Sequence, residues 1–169
     1  MSYVTLWDCY EGTVRKRLKN EKDVCAIGIT DNADRILFGK GNNELRIWEP
    51  FKRSSLRKIQ GYSGMHFQFG MNKIFMLKGG SQAIIYAGDI SMWDLNKGTV
   101  LAVYTPDTRI SAMALGMNGQ MLCFGLKDSL SVVSLRLIDN RTDGTSDLGQ
   151  NIFGERVDED DSSDEEIMT

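Results

Sequence analysis

Histidine is nearly absent from this chain: His66 is the single one in 169 residues. Catalysis of the Ser-His-Asp or Cys-His kind needs a histidine base. His66 lies in the alternating stretch Met65-His66-Phe67-Gln68-Phe69, where it reads as a structural or surface residue. Cysteine is scarce too. Cys9, Cys25 and Cys123 are odd in number and form no CxxC pair, which argues against a disulfide framework and for reduced thiols. Nothing in the spacing of these four residues suits a metal site, so neither a metal nor a cofactor is expected. No run approaches the roughly 18 apolar residues that cross a bilayer. The N-terminus MSYVTLWDCYEG has no basic stretch followed by an apolar one, so the reading is a cytoplasmic protein with no signal peptide or membrane span. A G-x-S-x-G elbow is missing, and Gly39-Lys40-Gly41 lacks the frame of a phosphate loop and reads as a turn. The chain is therefore not expected to be an enzyme.

What is present describes a water-soluble globular chain of about one domain: 41% hydrophobic residues, 25% charged residues, 17 Gly and 2 Pro. Charge is unevenly distributed. Residues 158 to 166, DEDDSSDEE, carry seven acids in nine positions, so the net charge of -3 conceals a body of +4 over residues 1 to 157. A like-charge block repels itself and has nothing apolar to bury. Residues 138–169 are read as a linker and disordered acidic tail, and residues 1–137 as the folded domain. Ser162 and Ser163 each have an acid three positions on, a pattern for acid-directed kinases; phosphate would add about 1.5 to 2 negative charges per site.

The folded part repeats itself. Val4-Thr5-Leu6-Trp7-Asp8, Leu45-Arg46-Ile47-Trp48-Glu49 and Ile90-Ser91-Met92-Trp93-Asp94 share one order: apolar, polar, apolar, Trp, acid. Their tryptophans stand 41 and 45 residues apart, and a degenerate fourth copy, Leu130 to Ser134, puts Val133 in the tryptophan slot. Alternation of period two marks strands with a buried face, and the shared phase makes Trp7, Trp48 and Trp93 packing residues rather than a ligand cage. After each acid comes a short polar turn, then an outer strand, then two further strands separated by Asn, Asp or Gly. Four strands in roughly 42 residues with tight turns make an antiparallel meander. In the third copy the inner strands are read at 65–69 and 73–77, with 79–88 as an extended connection.

The repeats at Trp7-Asp8, Trp48-Glu49 and Trp93-Asp94 resemble the WD40 family, whose unit of this length forms one four-stranded blade of a β-propeller. The resemblance covers residues 3 to about 137. It implies an all-β fold: a partial WD40 β-propeller of about three to four antiparallel blades, followed by the acidic tail. The family's Gly-His appears here only as Gly61-Tyr62. Asn42 holds the place of the Asp usually found six residues before Trp48, and Gly88-Asp89 stand five and four residues before Trp93, so the family's Asp-His-Ser-Trp network is not expected. Two complete and two incomplete blades fall at or below the four to eight of a closed propeller, which points to the C-terminal segment of a larger one. The Trp-acid repeats are similar to the C-terminal propellers of NACHT and WD-repeat proteins.

The resemblance implies a non-catalytic scaffold for protein-protein interaction, with proteins and the remaining blades of a larger propeller as partners. Family members dock partners on the loops that join the outermost strand to the next innermost one, here Lys22, Asp23, Tyr62 and Arg109. They also use the loops between second and third strands, here Asn42, Asn43, Tyr86 and Lys127. Tyr62, Tyr86 and Arg109 rank highest because exposed aromatic and Arg side chains dominate interfaces. Two alternatives remain: an anion or nucleic-acid surface on the basic outer strands, and a truncated fragment without a function of its own. The basic residues are Arg15, Lys16, Arg17, Lys19, Lys22, Lys52, Arg53, Arg57 and Lys58. Nucleic acid is disfavoured because no aromatic residues interleave with them.

Overall fold

The computed structural model describes residues 3–53, 56–67, 72–77, 79–116, 119–127 and 132–136, the last segment by its backbone alone. The expected tail, Ser162, Ser163 and the boundary at 137 lie outside the described residues. Thirteen strands and no α-helix occur among the residues described. The chain divides into two compact units, residues 1–106 and 107–169.

The first unit holds three antiparallel sheets built by chain neighbours. β1 (Tyr3–Asp8) pairs with β2 (Thr13–Lys19). β3 (Val24–Ile29), β4 (Ile36–Lys40), β5 (Glu44–Trp48) and β6 (Leu56–Gln60) form a four-stranded meander. β7 (Lys73–Met76), β8 (Gln82–Ala87), β9 (Asp89–Asp94) and β10 (Thr99–Tyr104) form another. In the second unit β11 (Ile110–Gly116), β12 (Met121–Leu126) and β13 (Val132–Arg136) make a three-stranded sheet. Two complete and two incomplete meanders were expected, and this order of two, four, four and three strands agrees.

The repetition extends to irregularities that composition does not encode. Trp7 pairs with Val14 and Leu6 with Lys16, leaving Arg15 as a bulge; Trp93 pairs with Val100 and Met92 with Ala102, leaving Leu101. Cys25 and Ser111 are skipped in the same way between β3 and β4 and between β11 and β12. The acid after the tryptophan is a turn former. Asp8 Oδ1 accepts from the backbone N–H of Tyr10 at 2.9 Å and of Glu11 at 3.0 Å. Asp94 Oδ1 does the same for Asn96 at 2.9 Å and Lys97 at 3.0 Å. Each turn closes on a glycine with positive φ, Gly12 at 64° and Gly98 at 73°, a conformation that spares glycine the Cβ clash other residues meet.

Packing in the first unit is sheet on sheet. Val4 and Leu6 of β1 bury against Ile36, Phe38 and Trp48 of the next sheet. That sheet turns its opposite face, with Ala26, Leu37, Leu45, Ile47 and Ile59, to Ile74, Ala83, Ile85 and Trp93 of the third. The tryptophan-bearing face therefore looks toward the preceding sheet. Trp48 and Trp93 are buried as expected, at 3% and 1% exposure, whereas Trp7, in the first sheet, is 56% exposed. Its expected packing role is corrected: among the described residues of its unit no sheet covers that face.

The third copy also differs from the sequence reading. Met65 to Phe67 form no strand, and residues 79–88, read as a connection, contain β8. Two apolar residues at i and i+2 mimic strand alternation, but Phe67 is buried because its ring lies where a Cβ on Gly39 would stand. The His66 N–H donates to Ala87 O at 2.8 Å. β8 was missed because Ala83 to Ala87 are all buried and so carry no alternation. The sharp turn at Gly79 and Gly80, with φ of 81° and 64°, returns the chain into it.

Candidate functional site

Alternate turns of a meander lie at one end of its sheet, and hydrogen bonds draw the connecting loops to that end. Gly41 N–H donates to Asp23 O at 3.0 Å, tying the entry of β3 to the β4–β5 turn. Gly61 N–H donates to Asn43 O at 2.9 Å, tying that turn to the exit of β6. Asp23 and Asn43 hold left-handed backbone, with φ of 57° and 60°, which Asn and Asp tolerate better than most residues. Lys22, Asp23 and Asn42 are exposed there and Asn43 is half-buried. In the second unit the Lys127 N–H donates to Arg109 O at 2.7 Å, and both side chains are exposed. The structure thus brings Lys22, Asp23, Asn42 and Asn43 together, and separately Arg109 and Lys127.

The two tyrosines ranked with Arg109 behave otherwise. Tyr86 is buried, with 4% exposure, so it presents no ring to a partner. Tyr62 is half-buried and engaged: its hydroxyl donates to Asp89 Oδ2 at 3.2 Å and its ring lies 6.3 Å from that of Trp93, tilted by 35°. Burial first, then the Asp89 carboxylate, push the Tyr62 phenol well above its ordinary value. Beneath it the Trp93 Nε1–H donates to Ser91 Oγ at 3.0 Å, and Ser91 Oγ donates to Ile85 O at 3.3 Å. Asp89, Tyr62, Ser91 and Trp93 form a polar cluster in the third sheet. The sequence reading expected no such network because Asp89 stands four rather than six residues before Trp93; after the turn at Gly88 (φ 92°) it nonetheless meets Tyr62 from the start of β9.

A second cluster was not foreseen at all. The carboxylates of Glu21 and Glu44 are buried, with 3% and 4% side-chain exposure. Arg46 reaches Glu21 at 2.5 Å and also binds Glu44, Lys40 reaches Glu21 at 3.4 Å, and Lys58 reaches Glu44 at 2.5 Å. Burial alone would raise the Glu44 pKa, but the hydrogen bonds from Lys58 and Arg46 outweigh it and bring it to about 2. Glu44 and Arg46 at alternate positions of β5, with Lys58 on β6, are the only local signal for this network.

The basic outer strands are partly neutralised. Arg15 pairs with Asp8 at 2.5 Å, Lys52 with Glu49 at 2.8 Å, and Lys58 with Glu44. Arg57 donates to Asn96 O at 3.0 Å. A cavity of about 270 Å³ is lined by Thr30, Asp31, Asn32, Asp34, Met76, Leu77, Gly79 and Gly80. No cluster of metal-ligating side chains occurs among the described residues, and no helix there is long and apolar enough to cross a membrane. In comparisons with known proteins, no family model matches the sequence and no curated protein matches it.

Proposed function

We propose that the chain is a non-catalytic scaffold of WD40 repeats, a segment of a β-propeller, that binds other proteins through the loop end of its sheets. The observation that carries the reading is the Asp89-Tyr62 and Ser91-Trp93 cluster within a four-stranded meander. Tyr62, in the Gly61-Tyr62 pair, stands where the family carries histidine, and an acid, a serine and the tryptophan complete the set. The repeated bulges and Asx turns support it as well. Docking is assigned to Lys22, Asp23 and Asn42 in the first unit and to Arg109 and Lys127 in the second, all exposed polar residues on loops held by rigid sheets.

The test is affinity capture from a cell extract with the intact chain beside a Lys22→Ala, Asp23→Ala, Asn42→Ala variant and an Arg109→Ala, Lys127→Ala variant. Circular dichroism must show all three equally folded. The reading expects proteins retained by the intact chain and lost by one variant; identical capture by all three overturns it. A second reading, that the chain lacks independent function and needs further strands, is favoured by the exposure of Trp7, Ile27 and Ile29. A molten or aggregated purified chain would support it, and a cooperative β-rich monomer would exclude it.

A further inference from the structure

The buried charge network of the second sheet is one carboxylate short. Glu21 and Glu44 serve three cations, Lys40, Arg46 and Lys58. Arg46 binds both carboxylates and Lys58 lies 2.5 Å from Glu44, whereas Lys40 reaches only Glu21, at 3.4 Å. The Lys40 side chain is 13% exposed, against 59% for Lys58. An ammonium carries three donors and is costly to hold away from water without acceptors, so Lys40 is the cation whose donors are least satisfied. The turn beside it offers further donors. Asn42 Oδ1 accepts from the Glu44 N–H at 3.3 Å and Asn43 Oδ1 from the Phe67 N–H at 3.4 Å. With both oxygens committed to the backbone, the NH2 groups are what these two side chains have left for a ligand. Gly41 ties this turn to Asp23, next to the exposed Lys22. Asp23 is the one exposed carboxylate among the described residues of this turn and the adjoining β2–β3 loop.

We infer that this loop end binds an acidic polypeptide segment, one of whose carboxylates accepts from Lys40 and from the Asn42 and Asn43 amides, with Lys22 at the rim. The inference rests on the docking reading above and names the chemistry of its partner. A carboxylate supplies the acceptor the network lacks, and a charge-assisted bond to an ammonium largely out of water is stronger than one to a surface lysine. Nucleic acid suits the place less. Arg46 is engaged by two glutamates, and one cation in excess does not neutralise the several phosphates on which such binding depends.

Fluorescein-labelled hexaglutamate is the probe, and its binding to the full chain is followed by fluorescence anisotropy. Saturable binding is expected, weakened by at least about tenfold in Lys40→Met, the scale of a hydrogen bond to a charged group. Glu21 keeps Arg46 in that variant, so its circular dichroism spectrum should not change. Asn42→Asp retains the oxygen that accepts from Glu44 but meets the peptide with a carboxylate, and should also weaken binding. It lies on an exposed turn, so it tests the contact even if Lys40→Met fails to fold. Lys16→Ala removes an exposed cation of β2 and should change nothing. Absence of saturable binding, an equal loss in Lys16→Ala, or equally tight binding of labelled hexathymidylate overturns the inference. So does binding that appears only when the seven acids of residues 158–166 are neutralised by substitution, which would make the chain's own segment the occupant. Capture from extract is read separately. Failure of hexaglutamate with capture still lost in the Lys22, Asp23, Asn42 variant discards the acidic partner alone, whereas identical capture by all variants discards the docking reading itself.

Discussion

Trp7 and Trp48 stand at the same phase of equivalent strands, yet one is 56% exposed and the other 3%. The difference lies wholly in what faces them. Val4 and Leu6 lie against Trp48, while Trp7 looks away from every sheet described in its unit. Trp48→Ala should therefore cost about 3 to 5 kcal/mol, the range for truncating a buried aromatic and a large share of the roughly 5 to 15 kcal/mol of a typical domain. Trp7→Ala should change stability by no more than about 0.5 kcal/mol. Urea denaturation of the two variants checks the contrast, and equal losses would refute the assigned packing.

Tyr62→Phe removes one hydroxyl and leaves Asp89 without that donor. A hydrogen bond to a charged group contributes about 1.5 to 3 kcal/mol, so a loss of that order is expected at neutral pH. The phenol also imposes an alkaline limit. Its folded value is raised above the ordinary 10.0, so the stability it contributes is whole below that pH and is lost as pH rises above it, because the unfolded chain ionises first. Denaturation midpoints from pH 8 to 11 should fall less steeply for Tyr62→Phe than for the parent. Parallel curves would place the hydroxyl outside the Asp89 contact.

Glu44 sets an acid limit by the opposite sign. Its folded value is depressed from 4.5 to about 2, so its contribution is present above the unfolded value and is lost as pH falls from there toward 2. The parent should lose stability steeply across that window. Glu44→Gln should be less stable at pH 7, since Arg46 and Lys58 lose a charged partner, and its curve should be flatter below pH 4.5. Thermal melts at pH 7, 5, 4 and 3 measure both effects; a variant as stable as the parent at pH 7 would sink the assignment.

Much of the architecture was legible because it is local. Val24 to Ile29 reads as a strand from its own composition and turns, and β3 has those limits. The tryptophan period located β1, β5 and β9, and the acid after Trp7 and Trp93 makes a turn with its immediate neighbours. β8 was not legible. Burial on both faces erases the alternation by which a strand is recognised, and only pairing with β7 and β9 reveals it.

By itself, the sequence determined the strand phase, the turn chemistry and the order of the meanders, since these depend on residues a few positions apart. Only the tertiary structure decided which faces are covered. Trp48 is buried against Val4 and Leu6 of β1 while Ile27 and Ile29 on the same face are bare, because burial depends on what lies opposite. Phe67 sits on Gly39 and Tyr62 holds Asp89 through contacts of nearly thirty residues' separation. Periodicity records that a residue has a face; the sheet packed against that face decides whether it is core, surface or docking site.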